Sequence, residues 1–429
     1  MLIDILSYMD KRYSTLGIAI VAVALFVFLS GCAGQSHFPI NNTSVNDTGS
    51  TTEGIDAVVN ANNQFAFDLY SQFKDENKDA NIFFSPYSIS SALAMTYEGA
   101  KGQTAEEMQN VLHIPKDADV RRANFAKIMN EINRKGKVYN LSVANALWAQ
   151  KDFAFIDAYF NIVEDYYGGK VTNLDFKTDT ENSRVTINKW VEDKTNDKIK
   201  GLIQKGILTP DTRLVLTNAI YLNANWSSQF EAENTGDGQF KLSSGTDTTV
   251  KMMHQTDYFN YGETSDLQIL EMDYVGNDLS MLIILPKGDN LGDLENVLSK
   301  EKIDELKKGM KNERVAVTLP KFNFETKYLM AGDLMKMGMP TAFSDSADFS
   351  GMTGKRDLAI SQVIHQTFIN VSESGTEAAA ATAVVIRITS IPQTEEPKVF
   401  TADHPFIFII QQKNTGNILF LGRVSDPSR

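Results

Sequence analysis

Residues 373–389 combine two local preferences that no single regular element satisfies. The segment reads ESGTEAAAATAVVIRIT. Ser374 and Glu377 have the spacing of a helix capping box, and the run of alanines that follows favours a helix. The valines and isoleucines after it favour a strand instead. The segment is therefore either an alanine-rich helix that runs into a strand, or a loop in one state and a buried central strand in another.

As a strand, this segment would have one face without any charge. Successive side chains of a strand point to opposite faces, so small residues followed by apolar ones share one face. The opposite face carries Glu377 and Arg387. The uncharged face consists of Thr376, Ala378, Ala380, Thr382, Val384, Ile386 and Ile388.

The composition of the chain restricts its partners and its means of stabilisation. Of its 429 residues, 42% are hydrophobic, which suffices for a large core. The net charge of −13 argues against nucleic acid as a partner, because that binding depends on basic surface. The single cysteine, Cys32, excludes an intramolecular disulfide, so packing must supply the stability.

The N-terminus has the pattern of a targeting segment. Lys11 and Arg12 precede an unbroken apolar run over residues 16–29, which is short for a membrane-spanning helix. The run ends in Leu-Ser-Gly-Cys, which looks like the lipidation motif of a lipoprotein. We predict a lipoprotein signal peptide over residues 1–31 and lipidation of Cys32. An uncleaved anchor with an incidental cysteine is the alternative, and both place the rest of the chain outside the cytoplasmic membrane.

This targeting segment gives two possible locations for the mature protein. It is either lipid-anchored to the outer face of the cytoplasmic membrane or secreted. Residues 32–57 are rich in Ser, Thr, Asn and Gly, and we predict that they form a flexible tether. From Val58 onwards helical patterns come first and strand patterns later, with no linker between them. This order predicts one α+β domain over residues 58–429.

The motifs of common enzyme classes are missing from this sequence. It contains no H-E-x-x-H, C-x-x-C, G-x-S-x-G, Walker A or G-x-G-x-x-G pattern. A Ser/His/Asp triad stays open, because the members of a triad are distant in sequence. The sequence gives no positive reason to expect an enzyme, a metal or a cofactor.

Eight blocks, taken together and in order, resemble the serpin family. The first contains NIFFSPYSIS, and the last two contain DHPFIFII and GNILFLGRV. The resemblance covers essentially all of residues 58–429, and it favours the loop interpretation of residues 373–389 over the helix. The blocks are residues 81–108, 216–226, 250–259, 280–286, 319–322, 347–352, 400–410 and 416–424.

The resemblance implies an α+β serpin fold with three β-sheets, eight or nine helices and an exposed reactive loop. It also implies a monomeric, irreversible suicide inhibitor of serine proteases rather than an enzyme. The nucleophile of the protease attacks the loop and becomes acylated by it. The cut loop then inserts into the main sheet and traps the protease. The alternative is a non-inhibitory serpin that acts as a binding or carrier protein.

The resemblance also places the parts of the reactive loop. The family spacing from Gly375 puts the reactive bond at Thr389–Ser390, with Arg387 and Ile388 as rivals. A small β-branched residue there favours an elastase-like or subtilisin-like protease, although the segment after Ser390 is longer than is usual. The hinge, whose small side chains suit insertion, comprises Glu373, Gly375, Thr376, Glu377, Ala378, Ala379, Ala380, Ala381 and Thr382.

Two further groups of residues match functional positions of the family. A polar cluster beneath the opening sheet, the shutter, would comprise Asn81, Ser85, Asn218 and His365. The point where the loop first enters the sheet would comprise Trp226, Lys321 and Glu373. A third group is a loosely basic stretch, either a polyanion site or a solvated face: Arg121, Arg122, Lys127, Arg134, Lys135 and Lys137.

Overall fold

The computed structural model describes residues 44–134, 136–288, 291–377 and 396–429. Helices dominate the first part of the described chain and strands the second, so the predicted α+β class is confirmed. The helices are α1 Thr52–Glu76, α2 Pro86–Tyr97, α3 Gly102–Leu112, α4 Ala118–Ile132, α5 Asp157–Tyr167, α6 Thr180–Lys194, α7 Leu291–Val297, α8 Lys300–Lys308, α9 Ala331–Met337 and α10 Ser350–Thr353.

Fifteen strands lie in the described residues. They are β1 Ile82–Phe84, β2 Asn140–Gln150, β3 Lys170–Leu174, β4 Leu214–Asn225, β5 Thr235–Lys241, β6 Asp247–Glu263, β7 Leu267–Asp273, β8 Leu279–Pro286, β9 Lys311–Pro320, β10 Phe322–Leu329, β11 Gln362–Ser372, β12 Gly375–Thr376, β13 Lys398–Thr401, β14 Phe406–Gln412 and β15 Ile418–Val424.

A six-stranded sheet contains Gly375 and Thr376, near the start of the segment that the sequence analysis singled out. Its strand order is β10-β11-β12-β4-β2-β3. Strands β11 and β4 pair directly and in parallel over one half, where residues 362–366 lie opposite residues 215–219. Over the other half the two-residue strand β12 lies between them. The two central strands are therefore joined at one end of the sheet and held apart at the other.

The remaining strands form one continuous nine-stranded sheet rather than the two sheets expected from the resemblance. Strand β6 has 17 residues, which lets its first half pair with β5 and its second half with β7. Strand β9 pairs with β6 along ten residues and also with β13. These two long strands join the predicted second and third sheets. Strands β8, β14 and β15 of this sheet are buried throughout.

Helix α2 starts where the sequence offers both a cap and a fixed backbone angle. The Ser85 hydroxyl accepts a hydrogen bond from the Ser88 N–H, and Pro86 occupies the first turn. Nearly the whole helix is buried, and it contacts β2, β4 and β15. The main core therefore lies between the two sheets and the first helices.

A second, smaller core lies on the opposite face of the six-stranded sheet. After α6 the chain runs over this face, and we call residues 195–208 the cover segment. Its buried side chains Ile199, Leu202 and Ile203 belong to one hydrophobic cluster with residues of β4 and β11. The cover segment therefore lies over the junction at which β4 and β11 meet.

The folded part of the chain begins earlier than the sequence analysis predicts. Helix α1 begins at Thr52, inside the predicted tether of residues 32–57. Val45 is 8% exposed, and its backbone N–H and C=O both bond to the side chain of Asn130 on α4. A single buried valine has no periodicity, which is why the sequence pattern did not indicate this contact. Residues 1–43, which include the predicted signal peptide and Cys32, lie outside the described residues.

No helix within residues 44–134, 136–288, 291–377 and 396–429 is both long enough and apolar enough to cross a bilayer.

Candidate functional site

The hinge begins inside the six-stranded sheet. Gly375 pairs with Ser372 on β11 and with Asn225 on β4, and Thr376 pairs with Val371 and Ala224. The φ angle of Gly375 is +151°, and a Cβ atom there would lie 2.1 Å from the carbonyl oxygen of Ala224. Only glycine fits this position without moving β4.

The side chain of Thr376 points into the core and is held there. Its hydroxyl lies 2.6 Å from the hydroxyl of Tyr274, which is fully buried. Burial raises the pKa of Tyr274 well above its usual value, so the phenol stays protonated. The Tyr274 ring stacks on Trp226 with 4.5 Å between the ring centroids. The three side chains form a column beneath the start of the hinge.

Trp226 also binds the chain on both sides of Glu373. Its indole N–H donates to the carbonyl oxygen of Ser372 at 3.1 Å, and its backbone N–H donates to that of Ser374 at 2.9 Å. The Lys321 ammonium binds the two carboxylate oxygens of Glu373 at 3.0 and 2.8 Å. Partial burial opposes ionisation of Glu373, but the hydrogen bonds, led by that from Lys321, lower its pKa overall. The structure thus brings the predicted Trp226, Lys321 and Glu373 together.

The described part of the hinge ends at Glu377. Its backbone N–H donates to the carbonyl oxygen of Asn370 on β11 at 2.6 Å, so it continues the ladder by one residue. Its φ of +52° is left-handed, which turns the chain out of the extended conformation. The other predicted hinge and reactive-bond residues lie outside the described residues: Ala378, Ala379, Ala380, Ala381, Thr382, Arg387, Ile388, Thr389 and Ser390.

Three of the four predicted shutter residues meet beneath the β4–β11 junction. The Nε2 atom of His365 accepts from the backbone N–H of Ser85 at 3.0 Å. This contact leaves Nδ1 as the protonated nitrogen, and it donates to Asn218 Oδ1 at 2.6 Å. His365 is fully buried, which lowers its pKa to about 3 and keeps it neutral.

Two residues that the sequence analysis missed complete this cluster. The side-chain N–H₂ of Asn218 donates to Asn145 Oδ1 at 2.6 Å and also to the Ser88 hydroxyl. Both partners are buried, and Asn145 lies in the middle of the otherwise largely apolar strand β2. A polar residue inside such a strand was the available signal for Asn145.

Asn81, the fourth predicted shutter residue, lies apart from the cluster. Its side chain bonds to the backbone of Ser425 and Asp426 near the C-terminus. It precedes β1, whose pairing with β15 places it at the end of that strand pair. The structure therefore does not bring Asn81 to the other three predicted shutter residues, and its observed contacts hold the C-terminus.

The basic stretch is neither a free cationic surface nor a solvated face throughout. Arg121 on α4 is 3% exposed, and its Nε donates to Glu98 at 2.9 Å. Arg122 donates to the other oxygen of Glu98 at 2.7 and 3.0 Å. Lys127 lies within 4 Å of Asp47 and Glu131. The two arginines neutralise a buried carboxylate, so they do not favour a polyanion site; Lys135 lies outside the described residues.

A family model and curated relatives match this chain over most of its length. The model described as "Serpin (serine protease inhibitor)" matches residues 60–427. An uncharacterized serpin-like protein of Thermococcus kodakarensis is 45% identical over 424 residues, which cover 95% of this chain and 98% of that protein. The leukocyte elastase inhibitor of Xenopus laevis is 42% identical over 374 residues, covering 85% of this chain and 97% of the inhibitor.

A solved structure extends the match to three dimensions. The structure of human thyroxine-binding globulin in complex with thyroxine superposes with a TM-score of 0.79 at 31% identity. The superposition covers 87% of this chain and 99% of the globulin.

The neutral His365 predicts how stability depends on pH. The unfolded chain binds a proton at this histidine below about pH 6.5, whereas the folded chain does not until about pH 3. His365 therefore lowers the free energy of unfolding as the pH falls from 6.5, by up to about 1.4 kcal/mol per pH unit. His365→Gln should lack this dependence, so wild type and variant should differ most above pH 7 and converge towards pH 4.

Chemical denaturation at pH 4.5, 5.5, 6.5 and 7.5 measures this difference. His254→Gln, which makes the same replacement at an exposed position, is the matched control. A difference between wild type and His365→Gln that stays constant with pH contradicts the assignment of a neutral buried His365.

Proposed function

The chain belongs to the serpin family, and from that premise we propose that it is an irreversible suicide inhibitor of serine proteases. A target protease attacks the reactive loop as a substrate. The cut loop then inserts between β4 and β11 as a full-length strand and traps the protease.

The register of the hinge is the observation that carries this proposal. Thr376 lies opposite Val371 and Ala224 in antiparallel pairing with both neighbours. If the strand continues in this register, Thr382, six residues after Thr376, pairs with the residue six positions before Val371 on β11 and with the residue six positions before Ala224 on β4. Thr382 would then arrive between His365 and Asn218, which now face each other across the β4–β11 junction. Insertion beyond Ala380 therefore requires the shutter to part.

The side chains that would enter next are compatible with this path. The inward face continues from Thr376 with Ala378, Ala380 and Thr382, none of which is large or charged. Each backbone hydrogen bond gained contributes a net ~0.5–1.5 kcal/mol, so a strand of about ten residues paired on both sides gains on the order of 10 kcal/mol. That amount matches the free energy of unfolding of a typical protease, about 5–15 kcal/mol, so insertion can distort its active site.

The covalent step that precedes insertion is an ordinary acyl transfer. The hydroxyl oxygen of the protease serine attacks the carbonyl carbon of Thr389, and the peptide bond to Ser390 breaks. The new amino group on Ser390 takes the proton from the catalytic histidine of the protease. Thr389 stays bound as an ester, and trapping requires that insertion is faster than hydrolysis of that ester by water.

Two features support an elastase-like or subtilisin-like target. Threonine at the reactive bond suits a shallow specificity pocket, and one relative is named as an inhibitor of leukocyte elastase. Arg387 would suit a trypsin-like pocket instead, and Ile388 an apolar one. The position of the cut therefore determines the class of target.

The proposed location follows from the predicted signal peptide and Cys32. A lipid chain on Cys32 would hold the folded domain at the outer face of the cytoplasmic membrane, within reach of extracytoplasmic proteases. Residues 33–43 would then join the lipid-modified Cys32 to the described residues, which begin at Ser44.

Mixing the protein with a subtilisin-like or an elastase-like protease should give a complex that survives boiling in detergent. Thr376→Arg should abolish this complex and yield only cleaved inhibitor, because the arginine would enter the core against Tyr274. Thr376→Ser keeps the hydroxyl and is the matched control, which should trap the protease as wild type does. Gel electrophoresis measures trapped and cleaved fractions, and mass spectrometry of the released fragment should find Ser390 at its amino terminus.

Two outcomes would contradict the proposal in different ways. Cleavage of the wild-type loop without any stable complex leaves a non-inhibitory serpin. Unchanged trapping by Thr376→Arg excludes insertion through this position. A fragment that begins at Ile388 or Thr389 moves the reactive bond to Arg387 or Ile388 and leaves the mechanism intact.

The lipid anchor is tested by Cys32→Ala in cells that process lipoproteins. The wild type should remain in the membrane fraction and partition into detergent, and the variant should lose the lipid and no longer partition. Equal distribution of the two forms contradicts anchoring through Cys32.

A further inference from the structure

The hinge is joined to the cover segment by an ion pair that the sequence analysis did not find. The ammonium of Lys198 lies 2.6 Å from Oε1 of Glu377. The Glu377 side chain is 6% exposed, whereas that of Lys198 is 45% exposed. The contact is a close ion pair on the face of the six-stranded sheet opposite Tyr274. It therefore holds the hinge from the side that Thr376 does not reach.

The backbone that carries Lys198 is held firmly in place. Its N–H donates to the carbonyl oxygen of Thr195 at 3.0 Å. The next residue, Ile199, is 2% exposed and belongs to the apolar cluster over the β4–β11 junction. Further along, the side chain of Asn188 on α6 forms hydrogen bonds of 2.9 and 2.7 Å with the backbone of Ile203. Lys198 thus projects from a segment that is fixed to both α6 and the sheet.

Glu377 is a buried carboxylate whose charge lies next to the ammonium of Lys198. A carboxylate removed from water is costly unless a cation or a hydrogen-bond donor compensates. Burial raises the pKa of Glu377, and the Lys198 ammonium opposes that rise. The residue also has the left-handed φ at which the described hinge leaves the extended conformation. Without Lys198, the simplest way to rehydrate the carboxylate is to withdraw residues 375–377 from the sheet.

We propose that Lys198 is a positioning residue of the reactive loop, whose ion pair with Glu377 keeps the first hinge residues seated between β4 and β11. The inserted residues 375–377 then serve as the starting point from which the cut loop extends. Insertion from an existing start is faster than insertion that must first bring the hinge back into the sheet. This role rests on the proposed inhibitory function, but the position of the hinge can be measured without any protease.

Hydrogen–deuterium exchange of the full chain measures the hinge directly. Peptides covering residues 370–377 should exchange faster in Lys198→Ala by about tenfold or more, because the buried carboxylate has lost its cation. Lys198→Arg should restore the protection. Lys200→Ala changes an exposed lysine two residues along the same segment and should exchange as wild type does. Peptides from the buried strand β14 report any global loss of stability in the same samples.

A second substitution separates the ion pair from other effects of Lys198. Glu377→Gln removes the charge but keeps the shape, so Lys198→Ala should have no further effect on exchange in its presence. Equal exchange of the hinge peptides in Lys198→Ala and Lys200→Ala would overturn the proposal. So would an undiminished effect of Lys198→Ala in the Glu377→Gln background.

The kinetic consequence is measured as the number of inhibitor molecules consumed per protease trapped. Lys198→Ala should raise this number by about twofold or more, because slower insertion leaves more time for ester hydrolysis. If Lys198→Ala withdraws the hinge but leaves the number of inhibitor molecules consumed per protease unchanged, the seated hinge has no role in insertion, and that part of the proposal is overturned. If no variant, including the wild type, traps a protease, the proposed function fails, and the exchange measurement still decides whether Lys198 holds the hinge.

Discussion

The fold depends on a backbone ladder that is closed over one half of its length and open over the other. Strands β4 and β11 pair directly over residues 215–219 and 362–366, and they part towards Asn225 and Ser372. A pair of buried strand edges cannot remain unpaired without a large cost, because each backbone N–H and C=O needs a partner. Gly375 and Thr376 supply partners only at the mouth of the opening. In the mechanism that we propose, the chain that follows completes the rest of the opening after cleavage, which gives the molecule a second, more fully paired state.

Separate elements hold the hinge at the mouth of that opening. Lys321, which lies between β9 and β10, binds Glu373. Tyr274, stacked on Trp226, contacts Thr376 from the core. Lys198 on the cover segment binds Glu377 from the opposite face of the sheet. Below them the shutter joins β4 to β11 through the neutral His365 and Asn218. These contacts hold residues 375–377 between β4 and β11. In the mechanism that we propose, this state is kinetically rather than thermodynamically stable, because a better-paired state is available to the cut loop.

The parts of this site that the sequence could predict are those in which residues of a recognisable type lie near one another in the chain. Small side chains after Gly375 indicated a segment able to enter a sheet, and the family resemblance indicated Trp226, Lys321 and His365. Tyr274 and Lys198 had no such signal, because their roles come from contacts with residues about one hundred or more positions away. The contacts of Asn81, Arg121 and Val45 escaped the sequence analysis for the same reason: each has a partner that is set by the three-dimensional arrangement of strands and helices.

The central claim is that a cut loop completes the six-stranded sheet. Thermal unfolding of the protein before and after limited cleavage within residues 378–395 tests it most directly, without requiring the natural target. A gain on the order of 10 kcal/mol in backbone pairing predicts that the unfolding midpoint of the cleaved protein rises by about 10 °C or more. An unchanged or lower midpoint after complete cleavage would contradict the account, because the severed loop would then have remained outside the sheet.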